Sequence, residues 1–436
     1  MQHARQHRGR RVRRVGTPLS SIQHIKQGPS EEAKRQHIKR LRMKKQRAQH
    51  AQRSHRPRTN SPRTSGKSPK NSLRIQKPIR DRWAAIAEET QRIVLGDGQY
   101  VEERIVPAVS SAVAQSYTQG SSFVDPLISS LKALQMQPAH IAHNIFSQIQ
   151  LSRQGTIFFP HYSDSLANWA TAQKRALPTL SQTNIKFVHD STLLAARQLA
   201  QSMSSNTSRI GVLSFASPKK PGGGFLHGGD EQEETIARLS SLVASLTSPA
   251  AQDFYKEHKK HWSEDGSGLH DHSMLYSPGV VVFRADGDDE EINLGDPVGG
   301  AFISPYQIDV VSAVPVNAAA VRAKHIILPS ERQFFEDGIR GAMKERMARI
   351  LRVFEEKGDK VLVLGAFGCG SSQNDVEVIA SLWAELLVCG DNEQHARFRD
   401  VFERVVFAVP GKLFTPFRRA FDMRVFEQEV ASAASD

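Results

Sequence analysis

Two stretches of the chain place residues of chemically useful type at useful spacing. The first is a loop, Ala216–Asp230, containing Pro221-Gly222-Gly223-Gly224-Phe225; seven residues separate Gly224 from Gln232-Glu233-Glu234. The second is Gly365-Ala366-Phe367-Gly368-Cys369-Gly370-Ser371-Ser372. Three consecutive glycines are costly in chain entropy, so they suit a backbone that approaches a ligand more closely than any Cβ allows. Neighbouring helical residues point about 100° apart. One of the two carboxylates can therefore hold a hydroxyl while the other reaches a reacting atom, the division that general acid–base chemistry uses. Each motif also has a bland reading. Acids in a first helical turn complement the helix dipole, and a glycine run often marks only a tight turn. Neither loop is a P-loop or a dinucleotide fingerprint, because no Gly-Lys-Ser/Thr and no G-x-G-x-x-G is present in them.

The elements around these loops are legible from periodicity. Ile210–Phe215 and Val361–Leu364 read as buried strands feeding the two loops, and Ile236, Leu239, Val243 and Leu246 mark a packed helix after the first. Ile185–Val188, Val280–Phe283, Ile308–Val314 and Val405–Val409 read as further strands. Phe335, Ile339, Met343, Met347 and Leu351 lie on one face of a long helix, and Asn374 is placed to cap a helix over 376–387. Strands alternating with helices predict an α/β sheet covered on both faces. In such sheets ligands bind at the carboxyl ends of the strands, where helix N-termini favour anions. Two glycine loops at equivalent strand ends therefore point to a phosphate-bearing ligand. Upstream, Trp83, Ile86, Thr90 and Ile93/Val94 predict a helix stopped by Gly96. Residues 100–181 read as helices with a polar loop around 161–165.

Charge divides the 436 residues sharply. Residues 1–80 hold 24 Lys and Arg against Glu31 and Glu32, whereas the other 356 residues hold 34 bases and 43 acids. The first 80 residues have almost no aromatics and are predicted to be disordered. The expected partner is a polyanion such as nucleic acid. The run Lys39-Arg40-Leu41-Arg42-Met43-Lys44-Lys45 resembles a nuclear localisation signal. Nucleus or cytoplasm is the expected location, with the mitochondrion as the lesser alternative. No apolar run reaches the ~18 residues that span a bilayer, so no membrane partner is expected, and two cysteines fit a reducing compartment.

Other constellations are weaker. His258, His261, His270 and His272 have a spacing that suggests zinc, but with Lys259 and Lys260 among them they read as a solvated loop, and no metal is expected. Cys369 lacks an identifiable His partner and reads as a small residue under a phosphate loop rather than a nucleophile. His227 reads as a rim residue.

The glycine triplet with Gln232-Glu233-Glu234 resembles the signature of microbial-type poly(ADP-ribose) glycohydrolases, which are macrodomain proteins. The likeness continues through the helix from Arg82 with Tyr100, through Phe215-Ala216-Ser217, Tyr276-Ser277-Pro278 and Val282-Phe283-Arg284, and through Leu364–Gly370 with Asn374-Asp375. It covers about 82–421. The departures are Ser214 where Asn is usual, Ser372 where an aromatic usually stacks on the bound nucleotide, and Val314-Pro315-Val316-Asn317, which fits the family's Ala-Pro-Asn only loosely. The resemblance implies a macrodomain-like mixed sheet sandwiched by helices, with an N-terminal helical extension; the disordered basic tail lies outside the resemblance. The chain then divides into the tail, 1–80, and a catalytic domain, 81–430, made of a helical part, 81–181, and a core, 182–425. The resemblance implies hydrolysis of ribose–ribose bonds in poly(ADP-ribose), without a cofactor, on the polymer or on ADP-ribosylated proteins. Glu234 would be the acid/base and Glu233 the residue that holds the ribose. Gln232, Gly222, Gly223, Gly224, Phe225, Gly368, Cys369, Gly370, Ser371 and Asn317 would bind substrate. The alternative is a module that reads ADP-ribose without cleaving it, tethered to nucleic acid by the tail.

Overall fold

Seven strands form the central sheet of the computed structural model, in the order β3-β6-β7-β5-β8-β9-β4. They are β3 (Ile157–Phe159), β4 (Asn184–Val188), β5 (Ile210–Phe215), β6 (Met274–Arg284), β7 (Phe302–Ala313), β8 (Val361–Leu364) and β9 (Arg404–Ala408). The structure describes residues 69–107, 136–177, 182–203, 209–264, 268–293, 295–324, 326–390 and 396–435. The expected basic tail thus lies outside the described residues as far as residue 68. All described residues belong to one unit, Ser68–Asp436.

The sheet is mixed, as expected. β5 pairs in parallel with β7 and β8, and β9 pairs in parallel with β8 and β4, while β6 runs antiparallel to β7 and β3. Alternating side chains serve two cores. Leu213, Leu362, Leu364, Val405 and Phe407 pack under the helices Arg332–Lys357, Val376–Ala384 and Phe414–Ser435. Ile210, Val212, Val361, Val363 and Val406 pack on the opposite face under Thr192–Ser202, Gln232–Leu239 and Pro249–Glu264. Burying a Leu, Val or Phe side chain contributes roughly 1.5–3 kcal/mol. Apolar residues on both sides of each strand are what makes the sheet a sandwich layer.

Three expectations are corrected. The first helix begins at Pro69, not near Asp81, and runs to Leu95 with Pro78 inside it. It ends where Gly98, at φ 69°, donates its N–H to Ile93 O. Residues read as helical after Tyr100 instead form an antiparallel pair, β1 (Gln99–Pro107) with β2 (Met136–Asn144). Its inward face carries Tyr100 and Glu102, both buried, while Val101 is half exposed. The polarity that normally distinguishes the faces of a strand is thus mixed. Glu102 is tolerated inside because His143, Arg104 and Ser304 all bond its carboxylate. Finally, Asp375, not Asn374, caps the helix at Val376, accepting the N–H groups of Glu377 and Val378.

Candidate active site

The loops that leave the carboxyl ends of β5, β7, β8, β9 and β4 converge on a cavity of about 730 Å³. That is within the range of small-molecule sites. Its walls include Ser217, Gly223, Gly224, Gln232, Glu233, Glu234, Asn317, Gly368, Gly370, Ser371 and Ser372. Sequence positions 150 residues apart meet here because parallel strands bring their ends to one side of the sheet.

Gln232 opens the helix that carries the two acids, and its amide ties that helix to the sheet. Its Oε1 accepts the Phe215 N–H at 2.8 Å, and its Nε2 donates to Leu213 O and to Thr192 Oγ1. The next residue, Glu233, is buried. Its Oε2 accepts the Ser217 N–H at 2.8 Å, and its Oε1 is buried without a hydrogen-bond partner. Burial pushes the Glu233 pKa up to about 8; the Ser217 N–H opposes this, and the charge of Glu234 adds to it. Glu234 is less buried and is held by backbone donors, Gly224 N–H to Oε1 at 2.5 Å and Glu231 N–H to Oε2 at 3.0 Å. The pair is therefore asymmetric. One carboxylate is buried where its neutral form is favoured, and the other is less buried and gripped by two backbone N–H donors.

The first glycine loop has a role the sequence did not separate from ligand binding. A Cβ at Gly223 or Gly224 would come within 3 Å of Glu234 Oε1, and one at Gly229 would collide with the same carboxylate. Gly223 also has φ 57°. These glycines let the backbone wrap Glu234. Gly370 in the second loop is different, because a Cβ there meets nothing closer than 3.9 Å and the residue lines the cavity. Gly368, at φ 75°, is needed by the fold: a Cβ would lie 2.6 Å from Pro315 Cβ. Asn374 fixes this turn by donating Nδ2 to Val316 O and Gly368 O. The indole of Trp383 pins Gly365 O from below.

The structure brings Glu233, Glu234, Gln232, Gly223, Gly224, Gly368, Gly370, Ser371 and Asn317 to the cavity wall. It does not bring Gly222, Phe225 or Cys369 there. Phe225 packs with Val281 and Phe283 in an apolar cluster, and Gly222 is buried against its ring. Cys369 is turned aside, and burial pushes its thiol up to about 12, which removes any thiolate chemistry near neutral pH. Ser214 is fully buried in β5 and away from the cavity. The histidine stretch is not a solvated loop. His258 is fully buried on the inner face of Pro249–Glu264, against Phe254, while Lys259 and Lys260 take the outer face. The side chain of His261 lies outside the described residues, and among those described no group of His, Cys, Asp and Glu is arranged to hold a metal.

Sequence reasoning missed Trp83, Arg238, His270 and Asp286, which also line the cavity. Trp83 lies on the apolar face of a helix and read as a packing residue, while Arg238 stands among the apolar positions Ile236 and Leu239 with no pattern of its own. Asp286 follows β6 in a polar turn that had no distinguishing pattern.

A mixed sheet with a ligand cavity at its strand ends and a carboxylate pair on a helix N-terminus defines a macrodomain-like glycosidase. The family model of the microbial-type PARG catalytic domain matches residues 130–285. Among solved structures, the poly(ADP-ribose) glycohydrolase of Thermomonospora curvata is 26% identical, covering 79% of this chain and 99% of that one, with a TM-score of 0.57. The same enzyme bound to the inhibitor ADP-HPD is 28% identical over 79% of this chain and 100% of that one, at 0.55. The poly(ADP-ribose) glycohydrolase of Deinococcus radiodurans in complex with ADP-ribose is 30% identical over 63% of this chain and 97% of that one, at 0.50. No curated protein matches at comparable stringency. The chain belongs to the microbial-type poly(ADP-ribose) glycohydrolase family.

Proposed function

We propose that this protein hydrolyses the ribose–ribose O-glycosidic bonds of poly(ADP-ribose) and releases ADP-ribose. The observation that carries the reading is the asymmetric pair Glu233 and Glu234, set at one cavity wall beside both glycine loops. The bond that breaks joins C1″ of one ribose to an oxygen of the next; water supplies OH to C1″ and the leaving oxygen takes a proton. An oxocarbenium-like transition state is cationic, so carboxylates nearby stabilise it.

Glu234 is the acid/base and Glu233 holds the ribose. The unpartnered Oε1 of Glu233 is the acceptor for a ribose hydroxyl. Burial keeps a proton on Glu233, while two backbone N–H donors fix the Glu234 carboxyl beside it. A hydroxyl donating to Glu233 stabilises its carboxylate and frees that proton for Glu234. Gly370 and Ser371 line the path of the diphosphate, and no cofactor enters the scheme.

The test is incubation of the protein with poly(ADP-ribose), read as released ADP-ribose, beside Glu234→Gln. The variant is expected to bind ADP-ribose and lose about 10²–10⁴-fold in kcat, the usual worth of a general acid. Release by the variant at the parent rate would remove Glu234 from the mechanism, and no release by the parent would favour a module that only reads ADP-ribose.

Residues 1–68 carry 20 Lys and Arg against two Glu. This segment acts as an electrostatic tether for nucleic acid or the polymer backbone, and its basic cluster directs the chain to the nucleus. Mitochondrial import of a tagged full chain would overturn the location.

A further inference from the structure

One part of the cavity wall, treated as a lobe, has no role in the scheme above. It is walled by Trp83, Arg238, Asp230, Asp286, Asp288 and Val298. The indole of Trp83 is locked. Its Nε1 donates to Val298 O at 3.0 Å, and the Arg238 guanidinium lies 4.9 Å from the ring centroid. Arg238 is itself buried and held by Gly229 O at 2.7 Å and Thr235 Oγ1 at 3.1 Å. A fixed aromatic on a cavity wall is a stacking platform. Asp286 adds an acceptor, since its Oδ2 is buried and takes no hydrogen bond.

The lobe lies beside the catalytic carboxylate. Arg238 follows Glu234 by four residues, about 6 Å along one helix face, and the Gly229 whose carbonyl it binds packs directly on the Glu234 carboxylate. Whatever fills the lobe is therefore close to the leaving oxygen. In the polymer that oxygen is the 2′-oxygen of an adenosine ribose, one carbon away from the base. Three aspartates disfavour a diphosphate there. An uncharged purine with an exocyclic amine suits both the indole face and the Asp286 acceptor.

Resting on the proposed activity, we infer that this lobe is the subsite for the adenosine of the leaving unit, with its base stacked on Trp83 and its amine donating to Asp286. The protein then recognises two consecutive ADP-ribose units across the bond it cuts. A polymer linkage is preferred over a single ADP-ribose on a small leaving group.

Calorimetry in the Glu234→Gln background tests this with a two-unit ADP-ribose oligomer and with ADP-ribose. The oligomer is expected to bind about 5- to 100-fold more tightly, the worth of one stacked base. Adding Trp83→Ala is expected to abolish that gap and leave ADP-ribose affinity unchanged. Asp286→Asn, which preserves shape, is expected to weaken the oligomer alone by about ten-fold, the size of one charge-assisted bond. Equal affinity of oligomer and ADP-ribose in the Glu234→Gln protein overturns the subsite. So does equal weakening of both ligands by either added substitution, which would make the lobe part of the ADP-ribose site itself. A parent that binds the oligomer more tightly yet releases no ADP-ribose from polymer would refute the hydrolytic reading and leave the subsite standing.

Discussion

Replacing Glu233 with Gln should stabilise the protein, and only at higher pH. Folded Glu233 keeps its proton up to about pH 8, whereas its ordinary value is 4.5. Between those values the folded state binds a proton that the unfolded state has released. Stability therefore falls as pH rises from 4.5 to 8 and is unaffected by this group outside that window. The displacement of about 3.5 units, at 1.36 kcal/mol per unit, gives a cost of about 5 kcal/mol by pH 8. Gln cannot ionise, has nearly the same shape as the protonated acid, and keeps an acceptor for the Ser217 N–H. Denaturant unfolding of parent and variant at pH 5, 6.5 and 8 measures the difference. Near pH 5 the two should agree within about 1 kcal/mol, and by pH 8 the variant should be several kcal/mol more stable. A gap of constant size across the range would show that Glu233 does not carry a displaced proton, and the proton handover to Glu234 would fall with it. The physical cause of the instability is functional: a buried acid with an unpartnered oxygen is costly to the fold until a ribose hydroxyl arrives.

Three further outcomes follow from the same geometry. Gly370→Val should weaken ADP-ribose binding at least ten-fold with an unchanged unfolding midpoint, because its side chain points into open cavity; unchanged affinity by calorimetry would remove the second loop from the ligand site. Gly368→Ala should instead lower stability by about 1–3 kcal/mol, since it combines a positive φ with a contact 2.5 Å from Asn374 Nδ2. Removing residues 1–67 should cut affinity for long polymer at low salt and flatten its salt dependence, while hydrolysis of a short oligomer stays near the parent rate; identical salt slopes would refute the tether.

The sequence by itself determined the layer architecture and most of the site. The alternation of apolar strands with helices is a local property, so Ile210–Phe215, Val361–Leu364 and the long helix marked by Phe335, Ile339, Met343, Met347 and Leu351 were legible from periodicity. So were the two loops, because glycine triplets and a Gln-Glu-Glu run are contiguous in the chain. The tertiary structure alone decided how those residues divide their work. Gly223 and Gly224 wrap a carboxylate ten residues away while Gly370 faces the cavity, yet all three are simply glycines in a loop. Phe225 looked like a lining residue and is a core residue, since which side of a turn faces inward depends on what packs against it. His258 looked solvated between lysines, but on a helix its neighbours face other directions. Glu102 concealed a strand, because a buried acid is stable only beside His143, Arg104 and Ser304, which come from three separate segments. Trp83 and Asp286 meet at one wall across about 200 residues of chain. The asymmetry between Glu233 and Glu234, which gives the site its chemistry, comes from desolvation and backbone donors. Both depend on the packing of distant segments, and no local pattern of residue types encodes them.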